Sequence, residues 1–496
     1  MSQSARKWRA QARARLDEET GTLSREGVES IALLYPSPYR TGMSSLGYQQ
    51  IYRTIHERGR SAERAFLPDD VAAFRASRTP LFTYESGRPV SDFPVVATSV
   101  AYELELAGLA EALELSGMEP LAQERSARDP FVLAGGPLTF SNPLPLAPFV
   151  DAILMGEADE TVHQALDILF GCASKEEAKR ELARAIPSCF VPDLHGDEMP
   201  ANAKCDPALL PAYAAIRTPN TELRDMFLLE AERGCHRQCQ YCVMRRSTNG
   251  GMRIVPKERI LELIPDDAKR VGLVGAAVSD HPKIAEIVET LADQGREVGL
   301  SSLRPDRLND RFVAALKRAG YRTLTTASDG SSQRLRDMMQ RKARERHLEK
   351  AARLAREHGM KRMKLYMMVG LPDETDEDID ELIEFGTELS KLIPLSLGIA
   401  PFVAKRNTPL DGAEFAGIDV VKRRLKRLRW GVKGRVELRS TSARWAWVEY
   451  VLAQGGRAEG LALLEAVRNG GGFRDYEAAF EAMPDDRKRR SLRVVA

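Results

Sequence analysis

The stretch Glu232-Arg233-Gly234-Cys235-His236-Arg237-Gln238-Cys239-Gln240-Tyr241-Cys242 decides how the rest of the chain is read. It gathers three of the six cysteines at intervals of four and then three residues. Short loops of this kind collect thiolates around an iron–sulfur cluster, and three protein ligands leave one iron of a four-iron cluster open. An open iron implies chemistry at the cluster, because a cluster that only carries electrons is normally ligated by protein at every iron. Cys172, Cys189 and Cys205 are scattered singly and read as small buried hydrophobes. Six cysteines in 496 residues do not form a secreted disulfide framework, so the cluster of three points to a metal site in a reducing compartment.

Composition sets the frame around this loop. The chain is 43% hydrophobic and 29% charged, as expected of a globular protein of two or three domains. With 73 basic against 71 acidic residues, the net charge of +2 gives no global reason for a nucleic acid or membrane partner. No apolar run approaches the roughly 20 residues that span a bilayer. The first residues carry Arg6, Lys7, Arg9, Arg13 and Arg15 without an apolar signal core. The expected location is the cytoplasm, with no membrane contact.

Outward from the cysteines the pattern alternates. Strands are expected over 226–230, 270–274, 297–301, 323–326, 362–369 and 395–400, with helices over 257–264, 281–294, 310–319, 345–358 and 375–392 between them. Six strands with five intervening helices suit a partial parallel (β/α)6 barrel of the TIM type, whose reactive loops follow the strands on one face. Upstream, strands over 31–35, 65–67, 95–100, 131–134 and 152–155 alternate with helices over 43–58, 69–76, 103–116 and 159–170. That order predicts a parallel sheet wound on both faces. The fold class is therefore α/β: a polar leader (1–28), a doubly wound domain (29–186), a linker (187–222), a partial barrel (223–405) and a small α+β C-terminal extension (406–496).

In a doubly wound sheet ligands lie beyond the carboxyl ends of the strands. Arg40, Thr41, Gly42, Ser99, Gly135, Gly136, Gly156 and Glu157 fall there. The glycines either let backbone approach a ligand or only make tight turns, and the spacing allows both. The run from Lys422 to Arg429 could meet a phosphate backbone, yet its leucines recur at helical spacing. A structural zinc knuckle would need a fourth ligand, and His236 beside Cys235 is badly placed to close the same tetrahedron.

Cys-x3-Cys-x2-Cys with an aromatic, Tyr241, before the third cysteine resembles the signature of the radical S-adenosylmethionine (SAM) enzymes. The resemblance implies that Cys235, Cys239 and Cys242 hold a [4Fe-4S] cluster and that the fourth iron takes the amino and carboxylate groups of SAM. One electron, from a donor such as a flavodoxin or ferredoxin, then cleaves SAM to a 5′-deoxyadenosyl radical. Residues 274–282 stand where many members carry a Gly-Gly-Glu motif for the methionine amino group; this chain departs from it, leaving Ser279 and Asp280 as candidates. Ser302 and Arg304 end a strand, where Arg304 could pair with the SAM carboxylate. Asp329 replaces a usual glutamate, and Gly370 of the Val369-Gly370-Leu371-Pro372 turn resembles the adenine contact of the branch that includes methylthiotransferases.

The first half resembles the cobalamin-binding-type domain that precedes many radical SAM domains. Thr41, Gly42, Ser99, Gly135, Gly136 and Glu157 would then present the corrin. The Asp-x-His-x-x-Gly motif whose histidine ligates cobalt is absent; the loop reads Pro36-Ser37-Pro38-Tyr39-Arg40-Thr41-Gly42, placing Tyr39 or Arg40 near the cobalt face. The implied activity is cobalamin-assisted methyl transfer, or another radical modification, on a substrate that no spacing encodes. Methylthiolation would call for further cysteines near the N-terminus, and none precedes Cys172. A reading from another class is an iron–sulfur or zinc-bearing module that senses redox state or docks RNA through residues 422–429. It predicts salt-dependent nucleic-acid binding without SAM consumption.

Overall fold

The computed structural model describes residues 3–23, 29–244, 251–301 and 303–483. Two compact units emerge, Met1–Phe227 with Gly455–Ala496, and Leu228–Gln454.

The first unit is built on a six-stranded sheet: β1 (Ser30–Pro38), β2 (Ser61–Leu67), β3 (Val95–Ser99), β4 (Phe131–Gly135), β5 (Ala152–Leu154) and β6 (Cys189–Phe190). The spatial order is β2-β1-β3-β4-β5-β6. All neighbours are parallel except β5 and β6, with Leu33 opposite Ala97 and Ser99 opposite Gly135. Ile31 to Tyr35 are all buried, so successive side chains meet packed matter on both faces, which is why the run carries no polar alternation. The order reverses between β1 and β3, the kind of position beyond whose strand ends parallel α/β sheets generally bind ligands. The antiparallel edge strand β6, only two residues long, has no counterpart in the periodicity.

Three segments differ from their sequence expectations. The leader forms a helix over Gln3–Asp17, whose Ala12 is buried and whose Trp8 ring lies 5.3 Å from Phe74. The segment expected as a linker is bound along the first unit: Ala203 N–H donates to Met155 O just after β5 (2.8 Å), and Ile216 N–H donates to Gln49 Oε1 on the helix Leu46–Glu57 (3.0 Å). The last helices, Arg457–Arg468 and Phe473–Glu481, belong to the first unit and not to an extension after the second. Gly460 makes this docking possible, since a Cβ there would lie 2.2 Å from Pro145 O. Asn142 Nδ2 donates to Gly455 O (2.9 Å), and Arg468 pairs with Glu114 (2.9 Å). Long-range packing of this kind leaves no local periodicity to read.

The second unit contains β7 (Met226–Glu230), a hairpin of β8 (Glu232–Gly234) and β9 (Met252–Ile254), and the strands β10 (Arg270–Val274), β11 (Glu297–Leu300), β12 (Thr323–Asp329), β13 (Arg362–Val369), β14 (Leu395–Pro401) and β15 (Glu437–Ser440). They form sheets ordered β11-β10-β7 and β12-β13-β14-β15. The pairs β10/β11, β12/β13, β13/β14 and β14/β15 are parallel. Six strands appear where the apolar runs place them. β15 was not expected, because a mostly exposed Glu-Leu-Arg-Ser edge strand carries no hydrophobic signal.

The basic run lies in the helix Ile418–Gly431, whose Val421, Leu425 and Leu428 face inward. Arg424 is itself buried and donates to Glu374 Oε2 (3.0 Å), while Arg427 pairs with Asp380 (2.6 Å). Part of the charge that suggested an RNA surface is thus spent inside the unit. Among the described residues no helix is long and apolar enough to cross a membrane.

Candidate functional site

The cysteine loop follows the β8 arm, whose backbone is fixed by pairing with β9, Glu232 opposite Ile254 and Gly234 opposite Met252. Gly234 takes φ 95°, a left-handed conformation that turns the chain into the loop at little steric cost. Cys239 is buried and Cys235 and Cys242 are half-buried. The Cys242 thiol is pushed up to about 11, first by burial and also by the charges of Cys239 and Cys235 on the same loop. Burial likewise raises Cys235 and Cys239. Backbone amides face the sulfurs, with Arg237 N–H donating to Cys235 Sγ (3.4 Å) and Met244 N–H donating to Cys242. Three soft donors that repel one another as thiolates, with amides directed at them, are suited to a multi-iron cluster whose positive metal core removes that repulsion. Among the described residues no group of three or more Cys, His, Asp or Glu is already arranged to hold a metal ion.

Asp280 lies at the centre of the surrounding ion pairs. Its carboxylate is fully buried and meets Arg304 (2.7 Å), Arg307 (2.7 Å) and Arg237 (3.2 Å), with His236 at 3.8 Å. Arg304 also pairs with Asp306 (2.5 Å), and its backbone N–H donates to Ser279 Oγ (3.0 Å). Two residues that the sequence offered as separate SAM contacts are therefore bound to each other. Through Arg237 the same knot grips the cysteine loop between Cys235 and Cys239.

Asp329 ends β12 in a left-handed conformation (φ 65°) and accepts a hydrogen bond from the Tyr241 hydroxyl (2.7 Å). Its other partner is Arg341. Gly370 (φ 80°) begins a turn fixed by buried Glu374, which accepts from Gly370 N–H (2.5 Å) and Ser331 Oγ (2.9 Å). Ser302 lies outside the described residues.

Sequence reasoning did not pick out Arg237, Glu232 or Arg341. The first two sit inside the quoted motif and could have been noticed as charged residues in a loop destined for burial; Arg341 has no local signal. Glu232 is fully buried, accepts from Ala277 N–H (2.6 Å) through Oε1, and leaves Oε2 without a hydrogen-bond partner. Its carboxylate lies against Gly275, where a Cβ would meet Oε1 at 2.2 Å. Burial raises its pKa from 4.5 to about 7, and neighbouring Glu230 and Asp280 add to the rise. The protonated carboxyl favours the folded state fully below pH 4.5, and that contribution is lost as the pH rises through 7. E232Q is expected to flatten the fall in thermal stability across this window, measured by melting curves from pH 4.5 to 8.

In the first unit the candidates separate into two groups. Thr41, Ser99 and Gly135 lie at the carboxyl ends of β1, β3 and β4 and are half-exposed. Tight packing accounts for the others. A Cβ on Gly42 would lie 2.6 Å from the Phe66 ring, one on Gly136 (φ 103°) 2.6 Å from Val100 O, and one on Gly156 (φ 85°) 2.6 Å from Ala203 O. Glu157 Oε2 accepts from Cys205 N–H (2.7 Å) and so holds the crossing segment. Tyr39 is fully buried, with its hydroxyl donating to Glu19 (2.5 Å) beside the buried Arg64–Glu19 pair (2.8 Å). That burial corrects the expectation that Tyr39 faces a ligand; Arg40 is exposed, with Glu222 at 3.8 Å.

A cysteine loop of this spacing after a strand, followed by parallel strands, defines a class, and comparison with known families agrees: residues 230–386 match the Radical SAM superfamily. The chain is a radical SAM enzyme, and the cofactors of that family are a [4Fe-4S] cluster and SAM. More particularly, residues 47–192 match the family described as Radical SAM proteins, N-terminal. An uncharacterized protein of Methanocaldococcus jannaschii is 27% identical over 401 residues, covering 78% of this chain and 80% of that one. A tRNA-2-methylthio-N(6)-dimethylallyladenosine synthase of Bacillus licheniformis is 26% identical over 39% of this chain, which spans 41% of that enzyme. Among solved structures, the radical S-adenosylmethionine methyltransferase TsrM from Kitasatospora setae, with cobalamin and a [4Fe-4S] cluster bound, aligns with a TM-score of 0.55 at 12% identity. That alignment covers 80% of this chain and 78% of TsrM, a likeness of fold.

Proposed function

We propose that the protein uses a [4Fe-4S] cluster on Cys235, Cys239 and Cys242 to cleave SAM reductively, and that cobalamin bound by the N-terminal unit assists methyl transfer to an unassigned substrate. The reading takes the first unit as a doubly wound cobalamin-binding-type domain and the second as a partial barrel. The observation that carries it is the sheet order β2-β1-β3-β4-β5, with half-exposed Thr41, Ser99 and Gly135 around its reversal point. The likeness in fold to a methyltransferase containing both cofactors supports the same reading.

In this scheme the bound cluster supplies the electron that breaks the sulfonium bond of SAM. The chain's own residues do the positioning. The three thiols would give up their protons on binding, and burial, which favours the neutral thiols, makes the metal core the source of the compensating charge. Ser279, Gly370 and the backbone of residues 275–277 would face SAM. Asp280, Arg304 and Asp329 would act through the loops they hold. The buried walls around Cys239 keep water away from a reactive radical.

The test is anaerobic reconstitution with iron and sulfide, with and without added cobalamin, followed by SAM and dithionite. Dithionite-dependent 5′-deoxyadenosine and stoichiometric cobalamin retention after gel filtration are the expected results. A fully loaded cluster that never cleaves SAM would move the assignment to a redox-sensing or RNA-binding module. Loss of all cobalamin on the column would remove the corrin from the reading and leave a different radical modification.

A further inference from the structure

We propose that Arg341 is a positioning residue that tunes the iron–sulfur centre: its guanidinium, held on Asp329 beside the cysteine loop, favours the reduced cluster. The inference rests on the three cysteines being the cluster ligands and adds a control over how readily that cluster accepts an electron.

Four observations converge on Arg341. Its side chain is nearly buried and forms an ion pair with Asp329. The Tyr241 hydroxyl of the cysteine loop donates to the same carboxylate oxygen (2.7 Å), which sets the guanidinium beside that loop, and the guanidinium charge opposes the upward push of burial on the Cys239 thiol. Its Nη2 donates to Ala327 O (3.3 Å), which fixes the guanidinium against β12. The backbone on either side is left-handed, with φ 53° at Gln340 and 58° at Lys342, and Asp329 at 65° completes a set of three such non-glycine residues. Conformations of this kind persist where surrounding structure over-determines them, and they cluster at functional sites.

The surroundings supply that constraint. Gln240, between the second and third cysteines, donates its N–H to Met339 O (3.0 Å), and Arg341 N–H donates to Arg336 O (2.9 Å). Met339 is buried with Leu335, Leu371 and Phe402, and Tyr241 packs on the same cluster. The cysteine loop and the Arg341 turn are thus joined by backbone and by apolar packing.

Reduction adds one electron, from an external one-electron donor, and no proton or bond changes at Arg341. A fixed cation beside a cluster ligand lowers the free energy of the more negative state, and cluster potentials follow local charge and hydrogen bonds to sulfur. Removing the cation lowers the potential. Removing the Asp329 charge while keeping Arg341 raises it. A scaffold role predicts no such opposition of sign.

The experiment is an EPR-monitored redox titration of the anaerobically reconstituted full-length protein, with iron and sulfide counted for each variant. R341Q is expected to shift the oxidised-to-reduced ratio at a fixed potential by about tenfold, equivalent to about 59 mV for one electron, toward the oxidised form. R341K should stay close to the unmodified protein, and D329N should shift the opposite way. An unchanged potential in fully loaded R341Q, or a D329N shift in the same direction as R341Q, overturns the inference. If R341Q fails to load, D329N decides alone, and an unchanged or lowered potential there overturns it. If the unmodified protein assembles no cluster, or loses none when the cysteines are replaced, the ligand assignment falls instead.

Discussion

Alanine at any one of Cys235, Cys239 or Cys242 is expected to abolish SAM cleavage, with 5′-deoxyadenosine falling to the no-enzyme background. The expected loss is total because the open iron that receives SAM exists only when the other three are held, and the chain has no replacement nearby: the other cysteines lie at 172, 189 and 205. Loss of one cysteine leaves two thiols, pushed upward by partial or full burial, and would leave an incomplete cluster that oxygen and chelators strip. Iron counts, the visible absorption of the reconstituted protein and mass spectrometry of the nucleoside product check this in one series. Serine at the same positions should fail too, since an alkoxide is not formed at neutral pH. Normal product formation by a single-cysteine variant would show that the cluster is held elsewhere.

The second large effect is expected at Asp280. D280N should destabilise the second unit by about 3–5 kcal/mol, because removing one member of a buried ion pair leaves its partners charged and unsatisfied. The buried partner is Arg304, only 6% exposed in its side chain, and Arg237 is 19% exposed. The amide can accept hydrogen bonds but supplies no charge to balance three guanidinium groups. Arg237 then loses its anchor between Cys235 and Cys239, so cluster content should fall alongside stability. Chemical denaturation of the apoprotein reads the first effect, and iron retention after desalting reads the second. A charge-conserving D280E should restore part of each, while a D280N variant as stable as the parent would show that the arginines are solvated.

The strands of the first unit were legible because they are buried on two faces, and a continuous apolar run such as Ile31 to Tyr35 announces itself without partners; in β13 of the second unit the signal is an alternation of buried and more exposed positions. Edges were not legible. β6 is two residues long and β15 is largely exposed, so neither has a hydrophobic signature, and both exist because a neighbouring strand offers hydrogen bonds. The leader helix and the last two helices were misplaced for a related reason. Their amphipathic faces specify that something is covered and not what, and the covering surface is separated from Gly460 by most of the chain.

The sequence by itself determined what the cysteine loop offers, since the identity and spacing of three cysteines within eight residues are local properties that no fold needs to supply. The tertiary structure decided which charges meet. Asp280 is joined to Arg237, Arg304 and Arg307, and Asp329 to Tyr241 and Arg341, by loops at the ends of different strands. A carboxylate in a sequence carries the same charge wherever it lies. Only burial, which strips its water and leaves arginine as the available partner, turns it into the fixed point of a site.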